Sequence, residues 1–127
     1  MASLEGAGPL RPANAGIDRE RWLELQPANS SVVENDFQPG QTTGWHSHPG
    51  PSEIFVVTGS ITNYASDQWQ CKGVTYAAGT AFLDAGGTDV HELVNAGTAP
   101  AETIAVQFIP HGQARRIDKP EPSNCHV

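Results

Sequence analysis

Turn-forming residues interrupt this chain at intervals too short for long helices. Gln-Pro-Gly at 38–40, Pro-Gly-Pro at 49–51, Gly59, Ala-Gly at 78–79, Gly-Gly at 86–87 and Asn-Ala-Gly at 95–97 fall between brief apolar runs. Each supplies the backbone conformations that tight turns need. Between them the sequence predicts strands over Ser31–Phe37, Gly44–His48, Glu53–Thr58, Ser60–Tyr64, Val74–Ala77, Ala81–Asp84, His91–Asn95 and Glu102–Ile109. Many short, regularly punctuated strands point to an all-β sandwich or barrel. A length of 127 residues leaves room for one such domain.

Residues 1–16 are rich in Gly, Ala and Pro and are expected to form a mobile N-terminal arm, residues 17–112 the barrel domain, and residues 113–127 a polar, peripheral tail. Ile17 to Leu25 reads either as one helical turn or as an edge strand, with Trp22 as a core anchor or end cap. The opening residues have neither a basic region nor an apolar stretch of leader type, and no run approaches membrane-spanning length. A cytoplasmic protein with no membrane contact is therefore expected. In that compartment Cys71 and Cys125 are expected to be free thiols. Fourteen acidic residues against seven basic ones give a net charge of −7, which argues against nucleic acid as a partner. The late cluster Arg115, Arg116 and Lys119 reads as solvated surface.

One segment carries chemistry. His46 and His48 stand one residue apart, followed by Glu53, just before an apolar run. On an extended strand residues i and i+2 share a face, so both imidazoles can converge on one atom. Neutral imidazole is the commonest protein metal ligand, and two histidines with a carboxylate leave coordination positions open. His91 is the best distant partner for them. His111 and His126 follow the last strand and are expected to be exposed. Trp45, next to His46, should face the other way. Phe55, Tyr64, Phe82 and Phe108 are expected in the core or lining a pocket. Gln107 points inward if Ile104, Val106 and Phe108 occupy the other face of the last strand.

These segments resemble the paired motifs of the cupin superfamily of small jelly-roll (double-stranded β-helix) barrels. The first family motif, G-x5-H-x-H-x3–4-E-x6-G, is matched by Gly40, His46, His48, Glu53 and Gly59. The second, G-x5-P-x-G-x2-H-x3-N, is matched by Gly79, Gly87, His91 and Asn95. The resemblance covers about residues 30 to 110. It implies a divalent metal, Fe(II) favoured over Mn, Ni, Zn or Cu, held by His46, His48, Glu53 and His91. Three departures bear on the site. Only five residues separate Glu53 from Gly59 where the family has six, so counting back from Gly59 puts Ser52 at the carboxylate position, while counting forward from His48 gives Glu53. A bulge near Pro51 would restore Glu53 to the interior. Ala85 replaces the usual proline, and one extra residue precedes His91. If Glu53 faces outward, three histidines remain, as in the three-histidine iron centres of some cupin dioxygenases.

The resemblance implies a small metal-dependent dioxygenase or other oxidoreductase acting on a small organic substrate, with Glu53 as fourth ligand or as catalytic general base. The alternatives are a non-redox isomerase, decarboxylase or lyase, and a protein that binds metal and ligand without turnover. Small barrels of this kind often pair through edge strands, so a homodimer is expected.

Overall fold

The computed structural model of the chain describes residues 3–5, 19–24 and 30–126. In chain order its strands are β1 (Ser3–Glu5), β2 (Arg19–Glu24), β3 (Ser31–Phe37), β4 (His46–Ser47), β5 (Ser52–Thr58), β6 (Ser60–Ala65), β7 (Val74–Ala77), β8 (Ala81–Asp84), β9 (His91–Val94), β10 (Ala101–Gln107) and β11 (Ile117–Asp118). They form two antiparallel sheets, one ordered β1-β2-β3-β10-β5-β8 and the other β11-β4-β9-β6-β7. The only helical turn among the described residues is Trp69–Cys71. The all-β expectation holds, and eight predicted strands recur with ends shifted by a few residues at most. Arg19–Glu24 is a strand, and Ser3–Glu5, the described part of the expected arm, pairs with it. The rest of that arm and the side chain of Trp22 lie outside the described residues.

Alternation along the central strands builds the interior. Ser31, Val33, Asn35 and Phe37 on β3, Ser52, Ile54 and Val56 on β5, and Ala101, Thr103, Ala105 and Gln107 on β10 are all buried. Register matches large to small: Phe37 lies opposite Ala101 and Val33 opposite Ala105. Ile61, Phe82 and Leu93 complete one apolar cluster, with Tyr76 stacked on Phe82 at 4.1 Å between ring centroids. Each fully buried large side chain stabilises the fold by about 1.5–3 kcal/mol.

The same alternation corrects the aromatic assignment. Phe55 and Phe108 are 42% and 51% exposed, because their strand neighbours Ile54 and Gln107 take the inward face. Gly59, which joins β5 to β6, has a φ of +70°, and a Cβ there would sit 2.5 Å from the Pro100 carbonyl oxygen. Only glycine meets both demands.

The free-thiol expectation is overturned, since Cys71 and Cys125 form a disulfide with their Cα atoms 5.0 Å apart. The cause is the path of the tail. Ile117 and Asp118 pair with β4, the Lys119 amide donates to the Trp45 carbonyl, and the Asn124 amide donates to the Ser66 carbonyl. This return carries Cys125 to the turn after β6, across a separation of 54 residues that gave no hint of proximity. The tail is thus a structural part of the barrel. Alkylation without reductant, followed by intact-mass measurement, is expected to modify neither cysteine. Cys125→Ser is expected to lower the urea unfolding free energy by about 2–4 kcal/mol, and an unchanged midpoint would mean that the tail is held without the bond.

Candidate metal centre

The small sheet brings the three predicted histidines together. His46 on β4 lies directly opposite His91 on β9, and His48 follows two residues after His46. All three are at least 96% buried, at 4%, 4% and 1% exposure. Ring centroids are 4.7 Å apart for His46 and His48, 4.5 Å for His46 and His91, and 5.6 Å for His48 and His91. One ring nitrogen from each lies within 4.8 Å of the others.

Each ring is held from outside by an oxygen. His46 Nδ1 is 2.8 Å from the Gly44 carbonyl, His48 Nδ1 2.7 Å from the Arg115 carbonyl, and His91 Nδ1 2.9 Å from Asn63 Oδ1. A carbonyl oxygen only accepts, so these contacts place the proton on Nδ1 and leave Nε2 as a lone pair facing inward. That is the tautomer a metal needs, and oxygens behind the rings are the usual means of fixing it. His46 Nε2 and His91 Nε2 then meet at 3.1 Å. Two lone pairs at that distance repel unless a cation lies between or beside them.

A fourth acceptor joins them. Asp84, 3% exposed at the end of β8, places Oδ2 3.2 Å from His91 Nε2 and 3.8 Å from His48 Nε2. Its Oδ1 accepts from the Gly86 amide, whereas Oδ2 is buried without a hydrogen-bond partner. Gly86 and Gly87 both have positive φ, and the Gly87 amide donates to the His48 carbonyl. This two-glycine turn therefore ties the carboxylate to the His-x-His segment. The loop it belongs to also absorbs the extra residue before His91. Buried acceptors that converge on one small region are costly to hold together, and a divalent cation satisfies them at once. The residues present fit a metal.

Glu53 is not among them. Strand β5 runs regularly from Ser52, with Ser52 opposite Gln107 and Asp84 on its two sides, and no bulge forms at Pro51. The irregularity in this pairing falls instead at the far end of the strand, between Glu102 and Thr103 of β10. Ser52 and Ile54 therefore face inward and Glu53 faces outward. Glu53 as metal ligand and catalytic base is corrected accordingly. The sequence signal for Asp84 was its phase: it stands two residues after Phe82, on the face that enters the core. The Arg115 carbonyl has no side-chain signature and was not discoverable. His111 and His126 are exposed, as expected.

Beside the histidines lies a small cavity, part of it open to solvent, lined by apolar Val33, Ile54, Leu93 and Ala105 and by polar Thr103 and Gln107. Arg115 and Arg116 line it too, against the expectation of a solvated basic surface. Arg116 is drawn in by bonds to the Thr43 carbonyl and to Asp118.

Burial, with the neighbouring His91 and His48 adding to it, holds His46 well below the usual imidazole range. Burial and then His48 push His91 down to about 3. Asp89, in the loop after Asp84, is pushed up to about 6 by burial first and then by the Asp67 and Asp84 carboxylates.

Residues 33–107 match the family model described as Cupin domain. No curated protein matches the sequence. A double-stranded β-helix protein from Klebsiella pneumoniae subsp. pneumoniae MGH 78578 superposes with a TM-score of 0.66 at 22% identity, covering 87% of this chain and 91% of that one. An oxalate oxidase superposes with a TM-score of 0.64 at 22% identity, covering 88% of this chain but only 59% of its own. A cupin-like protein from Thermotoga maritima gives 0.60 at 23%, over 68% and 62% of the two chains. At these identities the likeness establishes the double-stranded β-helix fold.

The depressed imidazoles set a pH dependence for the metal-free protein. A histidine whose folded pKa lies below its unfolded value near 6.5 binds fewer protons folded than unfolded. Its contribution is complete above 6.5 and is lost as pH falls toward about 3 for His91. Asp89 acts oppositely between about 6 and 3.8, one group against two. Urea midpoints of chelated protein are expected to fall steadily below pH 6.5, and a flat profile from 7 to 4 would contradict neutral, buried His46 and His91.

Proposed function

The chain belongs to the cupin domain family, and from that premise we propose that it is a metal-dependent oxidoreductase, of the small non-haem dioxygenase type, acting on a small organic substrate. The observation that carries this reading is the outward anchoring of three imidazoles whose Nε2 atoms converge on one point. Three neutral histidines suit Fe(II), Mn, Ni, Zn or Cu, and they leave positions open for a substrate. When bound, such an ion supplies Lewis acidity and, as Fe(II), redox chemistry toward dioxygen.

The chain's own residues do the rest. His46, His48 and His91 hold the ion, while the Gly44 and Arg115 carbonyls and Asn63 keep the rings turned toward it. Asp84 is the fourth ligand. It replaces the carboxylate that the family pattern places on β5, from the strand position directly across from Ser52. Val33, Ile54, Leu93 and Ala105 exclude water around the substrate.

No helix among the described residues is long and apolar enough to cross a membrane. Phe55, Val57 and Leu83, exposed by 42%, 43% and 65% on the outer face of β5 and β8, support a homodimer joined through this end of the large sheet.

His46→Ala or His91→Ala is expected to reduce metal per chain by at least about tenfold, read by elemental analysis after dialysis. Asp84→Asn is expected to weaken retention less, and Glu53→Gln to leave it unaltered. Full stoichiometry in both histidine variants would refute the site. Oxygen uptake by Fe(II)-loaded protein with a panel of diketones, thiols and hydroxy acids tests the redox assignment, and turnover only with Zn or Mn in the absence of oxygen would replace it with lyase or isomerase chemistry. Sedimentation equilibrium is expected to give twice the chain mass, with Leu83→Glu shifting it to the monomer.

A further inference from the structure

One row of the large sheet is polar from strand to strand. Ser31, Gln107, Ser52 and Asp84 are successive cross-strand partners on β3, β10, β5 and β8, and all four are buried. Three of them carry an atom with no hydrogen-bond partner: Gln107 Oε1, Ser52 Oγ and Asp84 Oδ2. Thr103 Oγ1, further along β10 on the same face, is a fourth. Unmade hydrogen bonds of this kind are costly in a folded interior. Asp84 meets the histidines, whereas Gln107 and Thr103 line the cavity beside them.

Charge at the mouth is the second observation. The chain has seven basic residues and a net charge of −7, yet Arg115 and Arg116 both line this cavity. The Arg116 side chain is only 14% exposed. It uses Nε toward Asp118 and Nη2 toward the Thr43 carbonyl. Of the five N–H donors on a guanidinium, the others stay available, and a carboxylate is the partner that this planar fork suits best. The net negative charge disfavours anions over the surface as a whole.

We propose that the cavity takes a small hydroxy- or oxo-carboxylate, its carboxylate received by Arg116 and its second oxygen function by Gln107, on the wall opposite the histidines. The inference rests on the metal reading above and adds the substrate class to it. A hydroxyl donates to Gln107 Oε1, and a carbonyl accepts from the Gln107 amide after the side chain turns over. Thr103 offers its hydroxyl deeper in the same wall.

Three probes of nearly one shape separate the contributions: lactate, propionate, which lacks the hydroxyl, and propane-1,2-diol, which lacks the charge. Calorimetric titration uses full-length protein loaded with Zn(II), which is redox-inert, after elemental analysis confirms one ion per chain. Lactate is expected to bind at least about tenfold more tightly than either analogue. Arg116→Gln is expected to erase the advantage over the diol. Gln107→Leu is expected to erase the advantage over propionate while leaving Zn(II) stoichiometry unchanged. The wild-type comparison decides the preference even where a variant does not fold. Lactate binding no tighter than the diol, with zinc fully bound, overturns the substrate class and leaves the metal centre standing. Failure to retain zinc overturns the metal centre itself.

Discussion

A β-strand has two faces and a period of two, and almost everything in this barrel follows from which residue takes which face. On β3, β5 and β10 the inward residues run from apolar to polar along the strands. Phe37, Val56 and Ala101 sit at one end, and Ser31, Ser52 and Gln107 at the other. Register locks these ends together, since Phe37 lies opposite Ala101 and Ser31 opposite Gln107. Shifting β5 by a single residue would turn Glu53 inward and expel Ile54 and Val56, and the loss of two buried aliphatic side chains, about 1.5–3 kcal/mol each, opposes it. The apolar end therefore fixes the geometry of the polar end.

Asn95 shows how the apolar end tolerates polarity. It is wholly buried, but its amide donates to the Phe37 and Ala99 carbonyls and its oxygen accepts from the Gly97 amide. Every polar atom there has a partner, as a structural residue requires. The contrast with Ser52, Asp84 and Gln107 is chemical: these are equally buried and unsatisfied, and they cluster around the histidines. Unpaired polar atoms persist in a fold where something other than the fold uses them.

Much of this was legible in the sequence, because strand period and turn chemistry are local properties. The eight strands, the two-residue spacing of His46 and His48, and the partnership with His91 follow from them. Glu53 shows where local reading fails. Counting from His48 and counting from Gly59 disagree by one residue, and only the pairing of β5 with both neighbours decides between them. The disulfide and the Arg115 carbonyl were illegible for a different reason. Both depend on the return of residues 113–126, a segment whose Pro-rich, polar composition resembles a loose tail. Its anchoring comes from backbone pairing with β4, which side-chain composition does not report.

That returning segment joins stability to the site. It supplies the carbonyl that orients His48, the arginines at the cavity mouth, and the half-cystine that closes the barrel. A site with several unsatisfied acceptors costs stability, and the small sheet that carries two of its histidine-bearing strands has few apolar side chains to offset it. Pinning the tail at Cys125 restricts the unfolded chain and holds Arg115 and Arg116 where entropy would otherwise scatter them. The covalent link and the polar cavity are therefore complementary parts of one arrangement, in which the segment most distant in sequence from the histidines completes their surroundings.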